Sequence, residues 1–257
     1  MEPKRWITFD LDGTLMQNPF GKWVFPEIKQ LFAGWLQQEV NTTEALVNEH
    51  ERRMSQNRTV EAYDWDDMVR LLLAEHKLDR EIDVEKLVLQ HSVVPKIHLL
   101  EDSIIPVLTQ LKQRGFSLAT VTNGFYKYQY PVMKELGIAD LFDEIVTPEI
   151  AGCGKPDPKM MNALQQSGQI VAHVGDRIDH DVCTANLAGV PSVLIYRDLP
   201  ERLREVSPEL RPAQAEMLAL CEEKLKSENQ NLKITQLEKL YSPAFVIFRL
   251  EELLGCV

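Results

Sequence analysis

The amino-acid sequence predicts an α/β fold: a mainly parallel β-sheet flanked by helices, with an all-helical cap inserted after the first strand. Three observations predict it. Six short apolar runs recur along the chain, rich in Val, Ile and Phe and with little polar alternation, as strands covered on both faces require. Helical patterns separate most of them, and strand–helix alternation of this kind builds a parallel sheet. Residues 16–96 break the rhythm with helical patterns and no convincing strand.

The first predicted strand is 6–9. The insertion follows, with helical segments at 27–40, 43–56, 60–76 and 84–91. Thr42 or Thr43 suits an N-cap, and Glu44 favours a helix start there. The predicted division is therefore an α/β core of residues 1–15 and 97–257 and a helical cap of residues 16–96. Back in the core, residues 99–114 carry Leu100, Ile104, Val107, Leu108 and Leu111 at helical spacing, and Gly115 stops that helix. Strand 117–121 comes next, then a helix over 130–136 closed by Gly137, and strand 144–146. A helix over 158–167 precedes strand 171–174, and a helix over 181–188 runs through Gly189 and Pro191 into strand 192–196. Residues 199–242 break the alternation a second time. Pro200, Pro208 and Pro212 punctuate their start, residues 213–227 read as an exposed helix, and the polar stretch 222–233 reads as a solvated face. Strand 245–248 closes the chain, which has no internal repeat and no low-complexity tract.

With 257 residues, 44% hydrophobic and 26% charged, the chain has the length and composition of a globular protein with a sizeable core. Its net charge of −11 argues against nucleic acid or an anionic membrane as the main partner. A small anionic substrate is not excluded, because a metal ion and one lysine reverse the sign locally. Cys153, Cys183, Cys221 and Cys256 are scattered, without metal-ligand spacing, and predict a reducing, cytoplasmic setting. The histidines do not cluster as a zinc site would need. The apolar start at Trp6 meets Asp10 and Asp12 too soon for a signal peptide, and no apolar run is long enough for a membrane span.

Four strings carry the candidate chemistry, each just after a predicted strand. The first strand runs into Phe9-Asp10-Leu11-Asp12-Gly13-Thr14. Residues i and i+2 leave an extended chain on one side, so both carboxylates can face one pocket and hold a hard cation such as Mg2+. Gly13 lets the chain turn sharply beyond them. The second strand ends in Thr122-Asn123-Gly124, where a hydroxyl and free amides can take phosphoryl oxygens. Lys155 lies between Gly154 and Pro156 after the third strand, and Asp176, Asp179 and Asp181 follow the fourth. Taken singly, each string is also what a strand-end turn, a surface lysine or a helix start supplies. In an open parallel sheet, however, the carboxyl ends of the strands share one edge, where ligands bind. Four such strings in order, each at a strand end, predict one convergent site.

On these residues the chain resembles the haloacid dehalogenase-like hydrolase superfamily, from Lys4 to about Arg197 and again at residues 243–254. The resemblance implies a Rossmann-like core with a helical cap after the first motif. It implies that Asp10 is a nucleophile, Asp12 a general acid/base, and Thr122, Asn123 and Lys155 the phosphate-binding groups. Asp10, Asp176 and the backbone carbonyl of Asp12 would hold Mg2+, and Asp181 matches the later acidic position of the fourth motif. The family often has asparagine where this chain has His180, and the insertion at 199–242 departs from the common pattern.

The reaction implied is hydrolysis of a small organic phosphate monoester through an aspartyl-phosphate. A dehalogenase needs no acid at Asp12, which sets that activity below phosphatase. A phosphomutase shares all the motifs. A phospho-accepting signalling domain has its lysine last and no cap, and a binding protein without catalysis would not need every group. Phe20, Lys22, Trp23 and Phe25, together with Arg58, Tyr63, Trp65 and Arg70 of the cap, are the candidates for choosing the substrate. For any one of the aromatic residues, cap core is the simpler role.

Overall fold

Each of the six apolar runs is a strand in the computed structural model, which describes residues 3–229 and 237–257. They are β1 (Lys4–Phe9), β2 (Ser117–Val121), β3 (Glu144–Val146), β4 (Gly168–Gly175), β5 (Ser192–Ile195) and β6 (Phe245–Ile247). Every pairing in this sheet is parallel, and the strands lie in the order β3-β2-β1-β4-β5-β6. That is the doubly wound order, in which the crevice between β1 and β4 is the topological switch point. Phe9 of β1 is level with Thr120 of β2 and Val174 of β4, so the loops that follow start side by side.

Both faces of the sheet are buried. Trp6, Ala119 and Val121 pack on one side, and Ile7, Phe9 and Leu118 on the other, as a period of two demands. Leu194 and Val246, near the β6 edge, belong to a third apolar cluster. Among the described residues no helix is long and apolar enough to cross a membrane. All four cysteines are free thiols.

The insertion is helical: α1 (Phe25–Leu36), α2 (Thr42–Ser55), α3 (Trp65–Glu75) and α4 (Val84–His91). Three details differ from the sequence reading. Asn41, not Thr42 or Thr43, occupies the N-cap of α2, and Thr42 is buried as the first helical residue. The single helix expected over 60–76 is a short turn, Glu61–Tyr63, followed by α3. Asp64 separates them by accepting a hydrogen bond from the Asp67 amide, 3.1 Å away. The stretch expected to lack strands also holds Met16–Gln17, which pairs antiparallel with His98–Leu99 where the chain returns. This two-residue ribbon joins the ends of the insertion and replaces the first turns of the helix expected from residue 99. That helix is α5 (Ile104–Gln113), with Ile104, Val107, Leu108 and Leu111 buried.

The remaining core helices are short. α6 (Tyr126–Glu135) starts before its Pro131, because burial of Tyr128 and Gln129 extends the face made by Val132 and Met133. α7 (Pro148–Ala151) and α8 (Asn162–Ser167) precede β4, and α9 (Cys183–Leu187) precedes β5. The 158–167 and 181–188 helices both begin as tighter or wider turns, Pro158–Met161 and Ile178–Val182. The late insertion contains α10 (Glu201–Arg204) and α11 (Ala215–Glu228). α11 is not an exposed helix: Met217, Cys221 and Leu225 are buried with Ile178, Leu194 and Val246. Of the polar stretch expected to be a solvated face, residues 230–233 lie outside the described residues.

Candidate active site

The site forms at the switch point, beyond the carboxyl ends of β1, β2 and β4. Asp10 continues the β1 ladder, its amide donating to Val174 O at 2.8 Å, and its side chain is nearly buried. The chain then turns back on itself, with the amides of Thr14, Leu15 and Met16 all donating to Leu11 O. Gly13 is required in that turn. Its φ is +81°, and a Cβ there would stand 2.7 Å from Asp176 Oδ2. Arg197 pins the turn from outside, donating to Gly13 O at 2.8 Å and Thr14 O at 2.7 Å while paired with Glu101.

Lys155 is buried among carboxylates. Its Nζ donates to Asp10 Oδ1 at 2.7 Å and to Asp181 Oδ1 at 2.5 Å. Burial alone would lower the Lys155 ammonium, but Asp10 and Asp181 outweigh it and hold it above its usual range. Burial also works against the Asp181 carboxylate, yet Lys155 and His173 bring it well below the usual value. The other Asp181 oxygen accepts from the Arg177 amide at 3.0 Å. Gly175 makes room for it, because a Cβ there would lie 2.1 Å from Asp181 Cγ.

Ligand atoms of Asp10, Asp176 and Asp181 all lie within 4.8 Å of one another. Burial, then the charge of Asp10 and Asp181, pushes Asp176 up to about 7; burial raises Asp10 despite Lys155. Three hard oxygen donors held this close, two of them raised above the ordinary carboxyl range, suit a divalent cation such as Mg2+. Thr14 Oγ1 sits 3.3 Å from both Asp10 Oδ2 and Asp176 Oδ1, tying the two together.

Asp12 does not join this group through its carboxylate. The expectation that both leading carboxylates face the cation fails because the turn after Leu11 swings Asp12 towards α6. There Gln129 Nε2 donates to Asp12 Oδ2 at 2.6 Å, and Asp12 Oδ1 is buried without a hydrogen-bond partner. Burial pushes Asp12 up to about 6, with the Gln129 bond opposing the rise.

Thr122 is buried past the end of β2, its hydroxyl accepting from the Gly124 amide at 3.4 Å. The Asn123 side chain is already committed. Its Oδ1 accepts from the Lys155 amide at 2.7 Å, and its Nδ2 donates to Lys155 O and to Tyr63 Oη. Tyr63 therefore reaches the site from the cap, as does Thr59, which accepts from the Gly154 amide at 2.9 Å. Phe20, Phe25 and Trp65 form an aromatic cluster, and Phe20 meets Tyr128 of α6 edge-on. The other specificity candidates lie elsewhere. Trp23 stacks on His91, Lys22 is exposed, Arg58 pairs with Glu61, and Arg70 is exposed beside Asp67. His180 lies 3.7 Å from Asp179, and burial pushes it down to about 4.

Gln129, Thr59, His173 and Arg197 were not singled out by the sequence. Gln129 had a signal in Gly124, where a Cβ would come within 2.1 Å of Gln129 Nε2. The other three carry none, since a polar residue on a strand or loop has no periodic mark.

Comparison with known proteins bears on this site. The family model for haloacid dehalogenase-like hydrolases matches residues 4–189. The glyceraldehyde 3-phosphate phosphatase of Methanopyrus kandleri is 38% identical over 107 residues, which is 38% of this chain and 46% of that protein. The phosphoserine phosphatase of Thermus thermophilus is 34% identical over 119 residues, covering 45% of this chain and 48% of that one. The chain thus spans about half the length of these curated relatives. The crystal structure of a HAD phosphatase from Thermococcus onnurineus aligns with a TM-score of 0.62 over 77% of this chain and 88% of that one. At 24% identity this is a likeness of fold.

Proposed function

The chain belongs to the haloacid dehalogenase-like hydrolase family, and from that premise we propose that it is a Mg2+-dependent phosphatase acting on a small organic phosphate monoester. Asp10 attacks phosphorus, the bond to the leaving oxygen breaks, and an aspartyl-phosphate forms. Asp12 gives its proton to the departing alkoxide and takes one from the water that then cleaves the acyl phosphate. Lys155 holds Asp10 in place and neutralises charge gathering on the phosphoryl oxygens, with the Thr122 hydroxyl and the Asn123 amide as further donors. Bound by Asp10, Asp176 and the Asp12 carbonyl, Mg2+ would offset the repulsion between these carboxylates and the substrate dianion. Asp181 anchors Lys155. Residues 16–96 act as a cap over the core of 1–15 and 97–257, with Thr59 and Tyr63 at the junction. The free thiols suit a reducing, cytoplasmic setting.

The observation that carries this reading is the unlike surroundings of two carboxyls two residues apart. Asp10 lies against Lys155 and the acidic group, whereas Asp12 turns to Gln129 with a pKa of about 6, suited to giving and taking a proton near neutrality. A dehalogenase would have no use for that second group. The names of the relatives support a phosphate ester as substrate. The test is turnover of a panel of sugar phosphates, phosphoserine and an aryl phosphate, with Mg2+ and with excess EDTA. Mg2+-dependent hydrolysis is expected, together with loss of all turnover in Asp10→Asn. Full activity in EDTA, or phosphate trapped on Asp10→Asn, would overturn the assignment.

A further inference from the structure

The insertion between β5 and β6 lies beyond the family match, yet its helix α11 ends against the loop that carries Asp176 and Asp181. The buried face of α11 packs on Ile178 and Val182 of that loop. At the end of the helix the Glu228 side chain is 6% exposed, and its Oε2 accepts from the amides of Ile178 at 2.8 Å and Asp179 at 3.1 Å. These are first amides of the turn Ile178–Val182, which have no acceptor inside the turn itself. Lys224, one helical turn earlier, places Nζ 3.0 Å from the other Glu228 oxygen. Arg177 closes the clasp. It grips both oxygens of Asp179, at 2.9 and 2.8 Å, and donates to Glu228 O at 3.3 Å.

We infer that Glu228 is a positioning residue for the metal-binding loop: its carboxylate fixes the amides that follow Asp176 and so fixes where Asp176 and Asp181 point. The geometry leaves little slack. Asp176 is confined by Gly13 on one side, and Asp181 by Gly175 and Lys155 on the other. A turn released at Ile178 and Asp179 lets Asp176 move off the position shared with Asp10. A cavity of about 520 Å³, lined by Gly13, Asp176, Tyr196, Arg197 and Lys224, provides the space for that movement. The insertion is on this view a brace for the acidic loop, in the way outer residues orient metal ligands in other sites.

The inference rests on reading Asp176 as a metal ligand, and the experiment separates the two. Calorimetric titration of Mg2+ into the metal-stripped full chain measures affinity without turnover. Glu228→Ala is expected to weaken Mg2+ binding by about tenfold or more. Glu228→Gln, which keeps an acceptor oxygen, is expected to recover most of it. Glu228→Met keeps the length and loses both oxygens, so it reads the same loss if the alanine variant does not fold. Met217→Ala, at the far end of α11, is expected to lower the melting temperature and leave Mg2+ affinity unchanged. Wild-type affinity in the folded Ala or Met variant would overturn the proposal, and so would an equal loss in Met217→Ala. A wild-type chain that binds no Mg2+ would remove the metal reading, and this proposal with it.

Discussion

At the end of β1 the Asp10 carboxyl has Lys155 Nζ at 2.7 Å, while the Asp12 carboxyl has the Gln129 amide at 2.6 Å. The contrast yields an ordered pair of predictions. Asp12→Asn removes the proposed proton donor and keeps the proposed nucleophile. Hydrolysis of alkyl phosphates should fall by about 10²–10⁴, the usual worth of general acid/base catalysis. An activated aryl phosphate, whose leaving group needs little protonation, should lose less, and phosphoenzyme should accumulate and be detected by intact mass. Gln129→Leu keeps Asp12 and removes the hydrogen bond that aims it. A bond to a charged group is worth about 1.5–3 kcal/mol, so kcat should drop by about tenfold or more with KM little changed. The loss should again be steeper for alkyl than for aryl esters. Equal losses across leaving groups in both variants would count against Asp12 as the acid/base.

Among the elements, a buried guanidinium ties the late insertion to the core. Arg211 is 1% exposed and donates to the carbonyls of Leu203, Arg204 and Val246 and to both oxygens of Glu252. Removing one partner of a buried pair leaves the other uncompensated, so Arg211→Ala should cost about 3–5 kcal/mol, read as a shift in the denaturant midpoint. A midpoint unchanged from wild type would mean the insertion is anchored elsewhere. The strands of the sheet were legible because doubly covered strands are continuous apolar runs, and Phe245-Val246-Ile247 could be read as well as Val171–Val174 of β4. The ribbon at Met16–Gln17 was not, since two residues hold no period. The start of α6 was obscured by Pro131, whose local cost is outweighed by burying Tyr128 and Gln129. The polar end of α11 was misread although its stripe was there. Met217, Cys221 and Leu225 recur every four residues, and Lys224 and Glu228 continue the same side. Charge density of this kind reads as exposure, whereas the stripe turns those two charges inward. Asp10 and Asp176 were legible because each directly follows a strand, and Lys155 because Gly154 and Pro156 flank it in the loop beyond β3, but the direction of a side chain after a turn is set by tertiary contacts, and so the partner of Asp12 was not.

For the molecule as a whole, the switch point concentrates negative charge inside a chain whose net charge is already −11. Asp176 is pushed up to about 7 and Asp12 to about 6, both first of all by burial, from an ordinary carboxyl value near 3.8. Between those limits the folded state holds protons that the unfolded state has released. Linkage fixes the sign: the contribution of these two groups is fully present below the unfolded value and is lost as pH rises through the folded one. Asp181, shifted the opposite way, contributes only where pH falls below the ordinary carboxyl range and so leaves this window alone. Burial pushes His50 and His180 the other way, which adds stability as pH rises towards their ordinary value near 6.5, so the share owed to Asp176 is read against Asp176→Asn: in EDTA wild type should lose on the order of 2 kcal/mol relative to that variant from pH 5 to pH 8. Saturating Mg2+ should oppose the loss, because a cation among Asp10 and Asp176 replaces the missing protons and binds the folded state alone. The thermal midpoint in EDTA and in Mg2+ should coincide near pH 5 and separate towards pH 8. Asp176→Asn, which carries no titrating group there, should flatten the EDTA curve. An Asp176→Asn curve that runs parallel to wild type in EDTA across this range would show that the Asp176 carboxyl does not hold a proton in the folded chain.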